Sequence, residues 1–314
     1  MSSKVPSSKV AFVFPGQGSQ KVGMGRAIHD ASEDARRVFE AADRALGESL
    51  SALCFDGPQD ELTLTANTQP AILTNSVALL AALDRTPDVA AGHSLGEYSA
   101  HVCAKTFAFE DAVKLVRLRG TYMQDAVPVG VGAMSAILKA EAADVERVCE
   151  ETPGIVEPVN YNSPGQIVIA GEAAAVAAAG EALKAFGGRA MPLPVSAPFH
   201  CQLMRPAEER LAPHLAEIAF ADPSLPVYVN VDAAPVSSAD AARDALVRQV
   251  SRPVRWTSSV ERMVEDGVAL FVEIGEGAAL KGMLKRIVKD VPVVNVSGPD
   301  DIAPAREAID RARG

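Results

Sequence analysis

Gly92-His93-Ser94-Leu95-Gly96 fits the pattern G-x-S-x-G. In that pattern a serine sits at the apex of a tight turn from strand to helix, with its oxygen raised above the sheet edge. A short apolar run at 89–91 precedes the turn and a helical pattern at 95–104 follows it. The start of such a helix aims free N–H groups at the serine, so the N–H of Leu95 is a candidate oxyanion donor. The plain alternative is an ordinary turn with a helix-capping serine.

A serine nucleophile needs a base. Of the five histidines, His93 lies inside the turn, where its side chain should diverge from that of Ser94. His29 and His214 fall in polar helical stretches and are expected at the surface, and His101 is expected to pack. His200, in Pro198-Phe199-His200-Cys201, follows a strand and precedes a helix. Loops at strand ends are where α/β proteins place chemistry, although a structural histidine fits there as well. No carboxylate stands out as a third member. Asp111, Asp125 and Asp144 occupy polar helical positions, and a backbone carbonyl could orient the imidazole instead.

Arg119 is the most informative charge. The helical pattern at 110–127 presents Ala112, Leu115, Arg119, Met123 and Ala126 along one stripe, so Arg119 interrupts an apolar face. A buried guanidinium demands an anion. That anion is either an internal carboxylate or a substrate carboxylate gripped by the two-pronged donor. The loop Pro15-Gly16-Gln17-Gly18-Ser19-Gln20 matches neither the dinucleotide nor the phosphate-loop pattern. Its glycines are read as letting the backbone N–H of Gln17 approach the serine.

These residues need a scaffold. Apolar runs at 10–14 and 89–91, alternating with helical patterns at 34–46, 68–83, 95–104 and 110–127, predict a parallel sheet covered by helices. The middle of the chain reads as strand 132–138, helix 142–151, strands 156–160 and 166–170 joined by a turn at 162–165, helix 172–186 and strand 190–195. That order is the ferredoxin-like unit. Helix 204–218, strand 226–231, helices 239–250 and 256–266, strand 270–274 and helix 278–289 complete the pattern. The fold class is therefore α/β. A hydrolase-like large domain (1–127 and 196–314) carries a parallel sheet, and a ferredoxin-like small domain (128–195) is inserted into it.

Composition agrees. The chain has 314 residues, 48% of them hydrophobic, which is enough for a substantial core. A formal charge of −10 speaks against a nucleic-acid partner. A local basic patch could still draw an acidic carrier protein or a phosphorylated cofactor. The four cysteines show no CxxC spacing, so neither a metal site nor a redox pair is suggested, and free thiols fit a reducing cytoplasm. The start, MSSKVPSSKV, has no apolar segment of the signal-peptide kind, and no stretch reaches the roughly 18 apolar residues of a membrane span.

Taken together, these segments resemble the malonyl-CoA:acyl-carrier-protein transacylase family. The resemblance runs from about Val10 to Val296 and rests on an ordered set of motifs. They are Phe14-Pro15-Gly16-Gln17-Gly18-Ser19-Gln20, Gln69-Pro70-Ala71, Gly92-His93-Ser94-Leu95-Gly96-Glu97-Tyr98, Arg117-Leu118-Arg119-Gly120 and Asn160-Tyr161-Asn162-Ser163-Pro164-Gly165-Gln166. Pro198-Phe199-His200, Pro253-Val254-Arg255-Trp256 and Glu273-Ile274-Gly275 follow. There are two departures. The connection at 83–88 is short for the family, and Glu276 stands where the family usually has proline.

The resemblance implies that Ser94 carries a malonyl group taken from malonyl-CoA and passes it to the phosphopantetheine thiol of an acyl carrier protein, in fatty-acid or polyketide biosynthesis. His200 would be general base and acid. Gln17 and Leu95 would supply the oxyanion-hole N–H groups. Arg119 would bind the free carboxylate, with Met123, Asn160 and Asn162 facing the substrate, and the main-chain carbonyl of Gln249 would orient His200. Phe199 would crowd an α-methyl branch, as in related polyketide domains selecting malonyl. Such a contact discriminates by only about 1–3 kcal/mol. No permanently bound cofactor, nucleic acid or membrane is implied, and the enzyme is read as a cytoplasmic monomer. A serine thioesterase or acyl hydrolase of the same fold is the competing reading, and a non-catalytic carrier-binding scaffold is a third.

Overall fold

The computed structural model describes residues 8–195 and 197–314. The reading of the first residues, and the domain boundary at Ser196, lie outside them.

Among the described residues, ten strands form two sheets. The strands are β1 (Lys9–Phe14), β2 (Val89–Gly92), β3 (Gly132–Leu138), β4 (Val156–Ser163), β5 (Gln166–Glu172), β6 (Arg189–Pro192), β7 (Val227–Val229), β8 (Ala234–Val236), β9 (Val268–Ile274) and β10 (Val293–Val296). The larger sheet runs β10-β9-β1-β2-β7-β8. Its pairings are parallel except for β8, which returns antiparallel to β7.

β1 explains why helices cover both faces. Side chains alternate across a strand, and Val10, Phe12 and Phe14 enter one apolar cluster while Ala11 and Val13 enter another. The first cluster is filled by helices Glu33–Leu46, Thr65–Leu83 and Phe109–Asp125. The second is filled by Trp256–Glu265 and Ala279–Ile287. A strand buried on both faces reads as a continuous apolar run, as this one does.

The smaller sheet is antiparallel in the order β4-β5-β3-β6. Helices Ala142–Glu151 and Ala173–Ala182 pack on it through Val145, Val148, Val176 and Ala179. It is stitched to the larger part by main-chain bonds. Val254 N–H donates to Val159 and Tyr161 N–H donates to Val254, at 2.8 and 3.0 Å.

Three local expectations are corrected. Asn162 and Ser163 belong to β4, so the turn is Pro164-Gly165 alone. The helix expected over 172–186 is α only to Ala182 and tightens to a 3₁₀ turn over Leu183–Phe186, closed by Gly187 at φ 76°. The last strand ends at Pro192, which leaves Leu193 and Val195 free to turn toward the cleft between the two sheets. β8, β10 and the C-terminal helix Ile302–Arg313 have no counterpart in the sequence-based reading. No helix among the described residues is long and apolar enough to cross a membrane.

Candidate active site

Two strand ends build the core of the site. β2 stops at Gly92, the chain reverses over His93-Ser94-Leu95, and helix Gly96–Cys103 begins at once. Ser94 takes φ 51°, a conformation that non-glycine residues rarely adopt. Gly96 permits the turn by close approach, since a Cβ there would lie 2.0 Å from the carbonyl oxygen of Phe14. Gly16 does the same on the neighbouring loop, where a Cβ would meet the His93 carbonyl oxygen at 2.4 Å. Gln17 is thereby held against the elbow.

Ser94 Oγ lies 2.7 Å from His200 Nε2 and 3.2 Å from an Nη of Arg119. His200 Nδ1 lies 2.9 Å from the carbonyl oxygen of Gln249. A carbonyl only accepts, so Nδ1 carries the proton and Nε2 is left as an acceptor facing the serine. Burial, reinforced by the nearby Arg119 charge, pushes the His200 pKa down to about 3, although the Gln249 carbonyl opposes this. The imidazole is therefore neutral at physiological pH.

Arg119 is 1% exposed. Its guanidinium donates to Gln69 Oε1 and Gln249 Oε1, each at 2.9 Å, and sits 5.4 Å from the Tyr98 ring centroid. Among the described residues no carboxylate reaches ion-pair distance of it. The internal salt bridge allowed by the sequence is thus not what holds this arginine. Burial lowers its pKa from the ordinary value, with Tyr98 and Glu97 acting the other way. Arg117, two residues earlier, bonds instead to Glu48 and Asn67.

A cavity of about 110 Å³ opens at these atoms. Gln17, Ser94, Leu95, Arg119, Met123, Asn160, Phe199 and His200 all line it. No backbone carbonyl among the described residues accepts from the amide of Gln17 or Leu95. Asn160 brings an unpartnered Oδ1. Asn162 is placed differently. It does not line the cavity, and its Oδ1 meets Nε2 of His93, which does line it, at 2.8 Å. The His93 ring is thus bonded to Asn162 and not to Ser94 or His200. A wider groove of about 510 Å³ adjoins, sharing Gln17, Leu193 and Val195 with the cavity.

Of the other histidines, His101 packs as expected, whereas His29 and His214, expected at the surface, are half-buried. His101 is fully buried against Thr106, while His29 and His214 keep 24% and 37% of their side chains exposed. Glu276 forms an ion pair with Lys21 at 2.7 Å and does not line the cavity. Sequence reasoning gave no role to the side chains of Gln69 and Gln249, which carry the guanidinium, or to Asn230. Only Asn230 left a signal, a polar residue within the apolar run 227–231.

Residues 11–305 match the acyl transferase domain family. The malonyl CoA-acyl carrier protein transacylase of Escherichia coli K12 is 50% identical over 307 residues, covering 96% of this chain and 99% of that one. The chain belongs to the malonyl CoA-acyl carrier protein transacylase family. The family's solved structures agree with the fold. The transacylase of Coxiella burnetii superposes with a TM-score of 0.94 at 42% identity, over 99% of this chain and 100% of that one. A malonyl-transacylase in complex with a type II PKS acyl-carrier protein gives 0.93 at 47% identity, over 96% and 100%.

Proposed function

We propose that this acyltransferase moves a malonyl group from malonyl-CoA to the phosphopantetheine thiol of an acyl carrier protein, through malonyl-Ser94, in fatty-acid or polyketide biosynthesis. The observation that carries the reading is the convergence on one serine oxygen of a neutral His200 and a buried Arg119 held only by neutral partners. The small cavity suits a short acyl group with a free carboxylate. The neighbouring groove suits the arm that delivers it.

His200 Nε2 takes the Ser94 proton as Oγ attacks the thioester carbonyl. The resulting oxyanion accepts hydrogen bonds from the N–H groups of Gln17 and Leu95. Collapse breaks the C–S bond, and CoA leaves with the proton returned by His200. The carrier thiol then gives its proton to His200, its sulfur attacks the malonyl ester, and Ser94 departs reprotonated. Arg119 holds the malonyl carboxylate throughout, with Met123, Asn160 and Phe199 around it. Asn162 acts through His93, which lines the cavity. The larger sheet and its helices make a hydrolase-like domain and the smaller sheet and its helices an inserted ferredoxin-like one, so the substrate enters between them.

Intact-mass measurement tests the reaction. Malonyl-CoA alone should add one malonyl group to the protein, and holo carrier protein should remove it and gain it. Release of free malonate without carrier, as fast as transfer, would instead make the chain a hydrolase. The low His200 pKa adds a pH test. The base form persists below the ordinary histidine range, so acyl-enzyme formation should hold its rate from about pH 8 to about pH 5. A fall centred near the ordinary histidine pKa of about 6.5 would contradict this.

A further inference from the structure

Asn230 lies just beyond β7, the neighbour of β2, and is fully buried. Its side chain spans the elbow. Oδ1 accepts from the Ser94 N–H and Nδ2 donates to the Gly92 carbonyl, each at 2.7 Å. A primary amide offers an acceptor and a donor side by side, and here they match the two backbone groups that flank the reversal. Ser94 sits at φ 51°, and such a conformation persists only when its surroundings over-determine it.

Asn230 is itself fixed. Its N–H donates to Glu97 Oε2 at 2.7 Å and its carbonyl accepts from Arg255 N–H at 3.0 Å. Glu97 stands in the first turn of the helix that the elbow begins and is fully buried. Elbow, helix and β7 thus close into one ring of hydrogen bonds. On the far side, Gln249 Nε2 donates to the Ser94 carbonyl at 3.0 Å. Neither Asn230 nor Glu97 lines the cavity.

We propose that Asn230, anchored by Glu97, is a positioning residue that holds the Ser94 backbone in the conformation that aims Oγ at His200 and the Leu95 N–H at the oxyanion. This rests on reading Ser94 as the nucleophile. Without Asn230 the turn can relax, and the serine oxygen and the oxyanion donor move together while the carboxylate site at Arg119 stays in place. The loss should therefore fall on the chemical step and not on binding.

Rapid-quench intact-mass kinetics with malonyl-CoA separates the two. Asn230→Ala should lower the limiting rate of acyl-enzyme formation about 10²-fold while leaving the half-saturating concentration within about threefold. Asn230→Asp keeps the shape and one acceptor but loses the donor to Gly92. It should lose about tenfold or more, and it serves where the alanine variant does not fold. A limiting rate within about threefold of the unmodified protein in either folded variant, or a loss carried by the half-saturating concentration alone, would overturn the assignment. Failure of the unmodified protein to acylate Ser94 would overturn the reading of Ser94 itself, a separate result.

Discussion

Replacing Ser94 with alanine is expected to abolish the acyl-enzyme and to lower malonyl transfer by about 10⁴-fold or more. The expectation follows from what surrounds Oγ. It is the atom that meets the imidazole at 2.7 Å and the guanidinium at 3.2 Å. Among the described residues no other hydroxyl or thiol lines the cavity. Cys201 adjoins His200 in sequence, but its thiol donates to the Pro198 carbonyl at 3.0 Å, and burial pushes its pKa up to about 12. A thiol kept protonated is a poor nucleophile. Arg119 keeps Gln69 and Gln249 in the variant, so malonyl-CoA should still bind. The measurement is intact mass after exposure to malonyl-CoA. A variant that still gains a malonyl group would remove Ser94 from the reaction.

Much of this site was legible in the chain, and the reason is local. A strand, a reversal and a helix around Ser94 leave a pattern within a dozen residues, because the glycines must be where the backbone closes. Arg119 announced itself by standing on an apolar stripe. The support of His200 was not legible from the residues themselves, because a carbonyl belongs to every residue and gives no side-chain signal. Resemblance to the family supplied Gln249, and the geometry brings its carbonyl to the imidazole. Asn230 was hidden by distance, since 136 positions separate it from the serine whose N–H it accepts. The fold shows the same division. Strands buried on both faces were plain as apolar runs, whereas β10, a four-residue strand at the sheet edge and mostly half-buried, has too little pattern to stand out.

Replacing Arg119 with alanine should lower malonyl transfer about 10²–10³-fold and leave acetyl transfer nearly unchanged. The asymmetry comes from how the arginine is held. Its donors rest on two neutral amide oxygens, so its charge is positioned without being neutralised. Those two bonds fix the plane of the guanidinium beside Ser94 and still leave a cation for a carboxylate to meet. In a buried site that encounter is strong, because water does not compete for either partner. A malonyl group brings the matching anion and an acetyl group does not. With the arginine gone, the malonyl carboxylate would be buried unpaired, which is the costly state. The acetyl group would lose only a neighbour. Lysine should not restore the activity, since a single ammonium cannot bridge Gln69, Gln249 and a carboxylate in one plane. Paired kcat/KM measurements with malonyl-CoA and acetyl-CoA decide the matter. Equal losses for the two substrates would mean that Arg119 supports the Ser94 elbow and does not select the acyl group.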